Sequence, residues 1–188
     1  MRIVSGELKG RIIRAKIPAF IRPTTDKVRE AIFNILENHI SFENKIIADI
    51  CAGTGMLGFE AISRGCLKCH FVDKNIQSVN FIKSSAAILD INENLFKIYK
   101  NDALKFLKEF NNNYSGIKFD LIFTDPPYKA NFLNRMVELI NIGNLLAKKG
   151  IFVAEHDDTE ILLFPENWQR LTSKTYGITQ IEIYQNKV

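Results

Sequence analysis

Long apolar runs are absent from these 188 residues. No stretch approaches the roughly 18 consecutive apolar residues that a membrane-spanning helix needs, so no membrane partner is expected. The opening Met1-Arg2-Ile3-Val4-Ser5-Gly6-Glu7 has no apolar core of the kind that directs secretion. Cysteine is scarce and odd in number, three in all, which speaks against a disulfide framework and suits a reducing, cytoplasmic compartment. Low-complexity segments and internal repeats are also missing. What is there is ordinary: 46% hydrophobic and 24% charged residues, the composition of one globular domain, expected to be a monomer.

Acid is scarce at one end. Residues 1–29 hold eight basic residues against Glu7 and Asp26, whereas the remainder holds 17 basic and 19 acidic. A basic arm on a near-neutral body is the footprint of a phosphate-bearing partner, although charge alone leaves a solvated tail equally open. Arg2-Ile3-Val4 and Arg11-Ile12-Ile13-Arg14 flank Ser5 to Gly10 and predict a β-hairpin. Arg22-Pro23-Thr24-Thr25-Asp26 reads as a turn into a helix, with Thr24, Thr25 or Asp26 capping it. Val28, Ala31, Ile32, Ile35 and Leu36 make one helical face, with Lys27, Arg29 and Glu30 largely off it. The expected division is a basic arm over 1–29 and a single domain over 30–188.

From Lys45 the pattern alternates. Strands are predicted at 46–50, 70–73, 95–99, 119–124 and 150–155, separated by helices at 56–64, 76–89, 103–110 and 132–146. Asn111-Asn112-Asn113 reads as a loop. Such alternation predicts a doubly wound, mostly parallel sheet. Residues 168–176 and 178–185 are strand-like and adjacent through Gly177, which predicts a terminal antiparallel pair.

Cys66-Leu67-Lys68-Cys69-His70 matches the c-type haem attachment pattern, but its position at a helix end and strand start explains it without haem. Cys51, His39 and His156 lack the paired spacing of a zinc site, so no metal is expected. Gly53-Thr54-Gly55-Met56-Leu57-Gly58 matches the dinucleotide fingerprint, with Asp73 about 20 residues on. Asp49, at the preceding strand's carboxyl end, would repel a pyrophosphate. It would suit S-adenosylmethionine (SAM), which carries an ammonium and a sulfonium. Ala52, Gly53, Thr54 and Gly55 would let the backbone approach that cofactor, and Asp73 would accept from its ribose diol.

Asp125-Pro126-Pro127-Tyr128 decides between ligands. It follows a strand on the same carboxyl edge, where open α/β sheets bind ligands. An exocyclic nucleobase amine is a poor nucleophile because its lone pair is delocalised into the ring. Asp125 and the Pro126 carbonyl could accept its two hydrogens, hold the lone pair towards a methyl and stabilise positive charge developing on nitrogen. Tyr128 offers a face on which the base can stack.

These runs, with Asn101-Asp102-Ala103, resemble a class I SAM-dependent methyltransferase, which has a Rossmann-like, seven-stranded sheet. Gly6-Glu7-Leu8-Lys9-Gly10-Arg11, Arg22 to Glu30, Gly58 to Gly65, Phe152-Val153-Ala154-Glu155 and Tyr176-Gly177 extend the resemblance almost end to end. They resemble the bacterial small-subunit ribosomal RNA guanine-N2 methyltransferases, the RsmD family. That resemblance implies methylation of one guanine at N2 in 16S ribosomal RNA, in a small subunit or its assembly intermediate. It carries over Asp73 to the ribose diol, Asp102 with Ala103 to the adenine, and Asp125, Pro126 and Tyr128 to the target base. Arg11, Arg22, Thr24 and Arg29 are the candidate RNA contacts. The sequence departs from the family with Asp at 73 where Glu is frequent, Thr at 54 where Ser is frequent, and Cys at 51 where an aromatic is common.

Two other readings compete. A DNA adenine-N6 methyltransferase shares Asp-Pro-Pro-Tyr, but it must read sequence, and only 60 residues follow Tyr128. An inactive RNA-binding protein of the same fold would have no need of Asp125 and Tyr128.

Overall fold

The computed structural model describes residues 1–15, 17–18, 24–114, 116–126, 131–157 and 161–188. Seven strands form one sheet in the order β3-β2-β1-β4-β5-β7-β6. They are β1 Ile46–Ile50, β2 Lys68–Asp73, β3 Phe96–Lys100, β4 Phe119–Thr124, β5 Leu146–Asp157, β6 Trp168–Tyr176 and β7 Thr179–Asn186. The first five are mutually parallel, and β7 runs antiparallel to both β5 and β6. The hairpin at Gly177 therefore folds back so that β7, not β6, meets the parallel sheet.

Helices cover both faces. On one side lie α1 (Asp26–Leu36), α2 (Met56–Ser63) and α3 (Ile76–Ile88), with α4 (Ala103–Asn113) and α5 (Phe132–Ile142) on the other. Strand β1 is apolar except for Asp49 and is buried from Ile47 to Ile50, as parallel strands flanked by helices on both faces are. Two sequence expectations shift. Asn111 to Asn113 form the last turn of α4, where Phe110 anchors the helix in the core and Asn111 reaches the Gly143 carbonyl. Helix α5 stops at Ile142, capped by Gly143, and β5 begins at Leu146, paired with Phe119 ahead of an irregularity in the β4–β5 register. Among the described residues, no helix is long and apolar enough to cross a membrane.

The arm is welded to α2. Residues 1–13 make a single antiparallel bridge, Arg2 to Ile12, and bury Ile3 and Ile13 in the core against α1 and α2. Val4 and Ser5 donate their amides to the Glu60 carboxylate at 3.0 and 2.9 Å, and Leu8 donates its amide to the Ser63 hydroxyl. Gly6 has φ +80°, and a Cβ there would lie 1.8 Å from the Ser63 carbonyl oxygen, so only glycine permits this approach. Covered by sheet on one side and arm on the other, every residue of α2 is buried. Helix α1 starts at Asp26 with Thr25 as its cap, so it spans the expected boundary at 29/30.

Candidate active site

Register assembles the site. Ile50 pairs with Val72 on one side and Thr124 on the other, and Thr124 pairs with Ala154. The next residue along each strand lies in one row at the carboxyl edge: Asp73, Cys51, Asp125 and Glu155. Asp102 caps α4 two residues past Lys100, which pairs with Asp73. The charges converge as the register requires. The Cys51 thiol is pushed up by burial and then by the carboxylates of Asp73, Asp125, Asp49 and Asp102. Four acids brought around one thiol make a pronounced negative field in a partly dry site, suited to a cation.

The loop between β1 and α2 turns through left-handed backbone at Cys51 (φ 62°), Gly53 (φ 53°) and Gly55 (φ 72°). Gly55 caps α2 with no side-chain partner, and Thr54 is buried. The Gly53 amide donates to Asp73 Oδ2 at 2.9 Å and the Asn75 amide to Oδ1 at 2.8 Å. Each oxygen then retains acceptor capacity for a hydroxyl, so the carboxylate is aimed and still able to take a diol. Ala52 ties the loop back to the Val72 carbonyl. Gly58 is needed for closeness, since a Cβ would lie 2.2 Å from the Phe71 ring.

Asp49 is buried, with one oxygen accepting the Gly58 amide at 3.0 Å. Desolvation pushes its carboxyl up to about 7, helped by the Asp73 charge and opposed by the Gly58 amide. In the folded state the group holds a proton that the unfolded chain releases near its ordinary 3.8. Stability from this group therefore falls as pH rises from about 4 to about 7. A bound cation would favour the ionised form. Affinity for SAM should accordingly fall as pH drops below about 7, with a proton released on binding. Calorimetry at pH 6 in buffers of different ionisation enthalpy reads that proton, and buffer-independent heats would refute it.

Asp102 accepts the amides of Leu104 and Lys105 as the α4 cap, and Ala103 behind it is buried. Asp125 is half-buried and Pro126 buried at the end of β4. Pro127 and Tyr128 lie outside the described residues, as do Arg22 and Pro23. Thr24 donates its hydroxyl to Glu155 Oε2 at 3.1 Å, which ties the end of the arm to the carboxyl edge of the sheet. Glu155 was not singled out as a site residue from sequence. The signal was partial: it follows the apolar run Ile151 to Ala154, but β5 continues through it to Asp157.

Arg11 is exposed and its guanidinium donates to the Leu89 carbonyl, the C-cap of α3. Arg29 departs from expectation. It lies on the buried face of α1 with Ile32, Phe33 and Leu36, fully inaccessible. Its guanidinium meets Asp26 at 2.9 Å, the Arg2 carbonyl and, at 3.6 Å, Glu60. A guanidinium enclosed in this way cannot neutralise a phosphate, so Arg29 braces the arm. Cys66, Cys69 and His70 are core residues. Burial pushes the Cys66 thiol up to about 12 and His70 down to about 4, and His70 Nδ1 pairs with the Tyr99 hydroxyl.

Comparison with known proteins agrees with this geometry. The family described as Conserved hypothetical protein 95 matches residues 1–185. The chain belongs to that family. It is 38% identical to the YlbH protein of Bacillus subtilis over 190 residues, covering all of both chains. It is 32% identical to ribosomal RNA small subunit methyltransferase D of Haemophilus influenzae, over 99% of this chain and 94% of the relative. The solved yhhF structure from Escherichia coli superposes with a TM-score of 0.84 at 26% identity, covering 100% of this chain and 98% of that one. The fold is that of the class I methyltransferases, and the cofactor is S-adenosylmethionine.

Proposed function

We propose that this protein methylates ribosomal RNA of the small subunit, at the exocyclic N2 amine of one guanine. The observation that carries the reading is the row holding Asp73 and Asp125, two carboxylates on either side of the β1 loop, one suited to a diol and the other to an amine. The ribosomal RNA methyltransferase of Haemophilus influenzae, alike over nearly its whole length, supports the choice of substrate.

When bound, SAM supplies an electrophilic methyl on a sulfonium. The chain does the rest. Asp73 takes the ribose hydroxyls, Asp102 with Ala103 borders the adenine, and the loop 52–55 lets the backbone approach the methionine part. Asp49 and the surrounding carboxylates hold the cationic groups. Asp125 and the Pro126 carbonyl accept the two amine hydrogens, which directs the nitrogen lone pair at the methyl and offsets the charge that grows on nitrogen. Tyr128 stacks the base. Thr24 holds the end of the arm beside Asp125 through Glu155, and exposed Arg11 and, in the same reading, Arg22 are the arm's candidate RNA contacts.

Asp73→Ala should weaken SAM binding by about 1.5–3 kcal/mol, ten- to a hundredfold, because a charge-assisted acceptor is lost. Calorimetry with SAM and with NAD checks this, and NAD binding without SAM binding would overturn the cofactor assignment. Incubation with labelled SAM and either small subunits or duplex DNA, followed by digestion to nucleosides, tests the reaction itself. N2-methylguanosine is expected, and N6-methyl-2′-deoxyadenosine from DNA would replace the reading. With few side chains to read a long sequence, the enzyme must recognise the shape in which its base is displayed. Assembled subunits should therefore be methylated better than protein-free 16S RNA at matched salt, and equal rates would defeat this.

A further inference from the structure

We propose that the groove between Ala15, Ile17 and Pro18 of the arm and the exposed face of α3 docks a single-stranded segment of ribosomal RNA. This inference rests on the reading of the protein as a ribosomal RNA methyltransferase. The groove is an open trough of about 670 Å3 with a floor of Ala15, Ile17, Pro18 and Phe81 and a wall of Gln77, Asn80 and Ser84. Its spacing is built in, because the Arg11 guanidinium on the Leu89 carbonyl pins the arm to the C-terminal end of α3.

Charge selects the occupant. The contributing segments carry no acid: residues 8–15 hold Lys9, Arg11 and Arg14 and none of opposite sign, and residues 74–89 hold Lys74 and Lys83 alone. Arg14, Lys74 and Lys83 are exposed beside the trough, placed to meet phosphates. The side-chain amides of Gln77 and Asn80 are exposed, and each offers both donor and acceptor to a base edge. Such edges are free in single strands and paired in a duplex, and the apolar floor suits ribose and base faces. The trough also leads to the chemistry. Asn75, the cap of α3, donates its amide to Asp73 in the catalytic row.

Asn80→Asp changes one exposed amide to a carboxylate of the same shape. It should raise the apparent constant for small subunits roughly tenfold, the cost of one lost base contact. Lys83→Ala and Arg14→Ala should each flatten the salt dependence by about 0.7 of a logarithmic unit per logarithmic unit of salt. Lys108→Ala, an exposed change on α4, serves as the control and should move neither. Binding is read by co-sedimentation with small subunits, independently of methyl transfer. An enzyme inactive on subunits would sink the reaction assigned above, while co-sedimentation still decides the groove. The occupant is read by a thiol-linked photoprobe on exposed Ser84→Cys, since Cys66 and Cys69 are buried, and labelling of the unsubstituted protein measures any reaction at half-buried Cys51. Crosslinks to 16S RNA are expected. Crosslinks to ribosomal protein alone, or unchanged binding by Asn80→Asp, Arg14→Ala and Lys83→Ala, would overturn the proposal.

Discussion

Asp125→Ala should lose methyl transfer by at least about a hundredfold while SAM affinity stays within a few-fold. Asp125 leaves β4 in the same row as Asp73 but on the other side of Cys51, and in the proposed mechanism its carboxylate meets the target amine and not the ribose. Without it one amine hydrogen has no acceptor, the lone pair is no longer aimed, and the charge growing on nitrogen meets no anion. Asn at this position keeps one acceptor oxygen and should retain more activity than Ala. Single-turnover transfer from labelled SAM, with calorimetry on the same preparations, separates chemistry from cofactor binding. Near wild-type turnover by the alanine variant would remove Asp125 from the mechanism, and a proportionate loss of SAM affinity would reassign it to the cofactor.

Glu60→Ala should be strongly destabilising. The carboxylate is wholly buried at the centre of α2, accepts the Val4 and Ser5 amides, pairs with Arg64 at 3.1 Å and faces Arg29 at 3.6 Å. Removing it leaves two arm amides without acceptors and strips Arg29 of one of its two carboxylates inside the core. Breaking a buried ion pair from one side costs about 3–5 kcal/mol, on the order of 10 °C in melting temperature for a chain of this size. Urea unfolding and limited proteolysis of the arm check it together. The midpoint should fall and the first dozen residues should become cleavable. An unchanged midpoint would mean that Ile3, Ile13 and the contacts to Ser63 and Leu89 hold the arm without Glu60.

These two residues differ in how legible they were. Asp125 announces itself, because an acid followed by two prolines and an aromatic directly after an apolar strand has few structural uses. Glu60 and Arg29 gave no such signal. Within α1 the apolar spacing marks Ile32 and Leu36 as the inner face, and Arg29, on that same face, is one turn from Ile32. A sequence pattern treats a charge as outward by default, and only the partner brought in by α2 makes it cheaper to bury than to expose. Glu155 shows the same limit. Its strand was evident, but its place beside Asp125 follows from the pairing of Thr124 with Ala154.

The sequence by itself determined the alternation of strands and helices, the glycine loop, the acids that end the strands and the family to which the chain belongs. Each of these is local, set by periodicity, by glycine's conformational freedom or by contiguous motifs. Tertiary structure decided what depends on pairing between distant segments. It inserted β7 between β5 and β6, lined up Asp73, Cys51, Asp125 and Glu155 in one row, and turned a basic arm into a fixed wall over α2 and α3. Those outcomes depend on register and on the burial of matched charges, and neither quantity exists until the chain has folded.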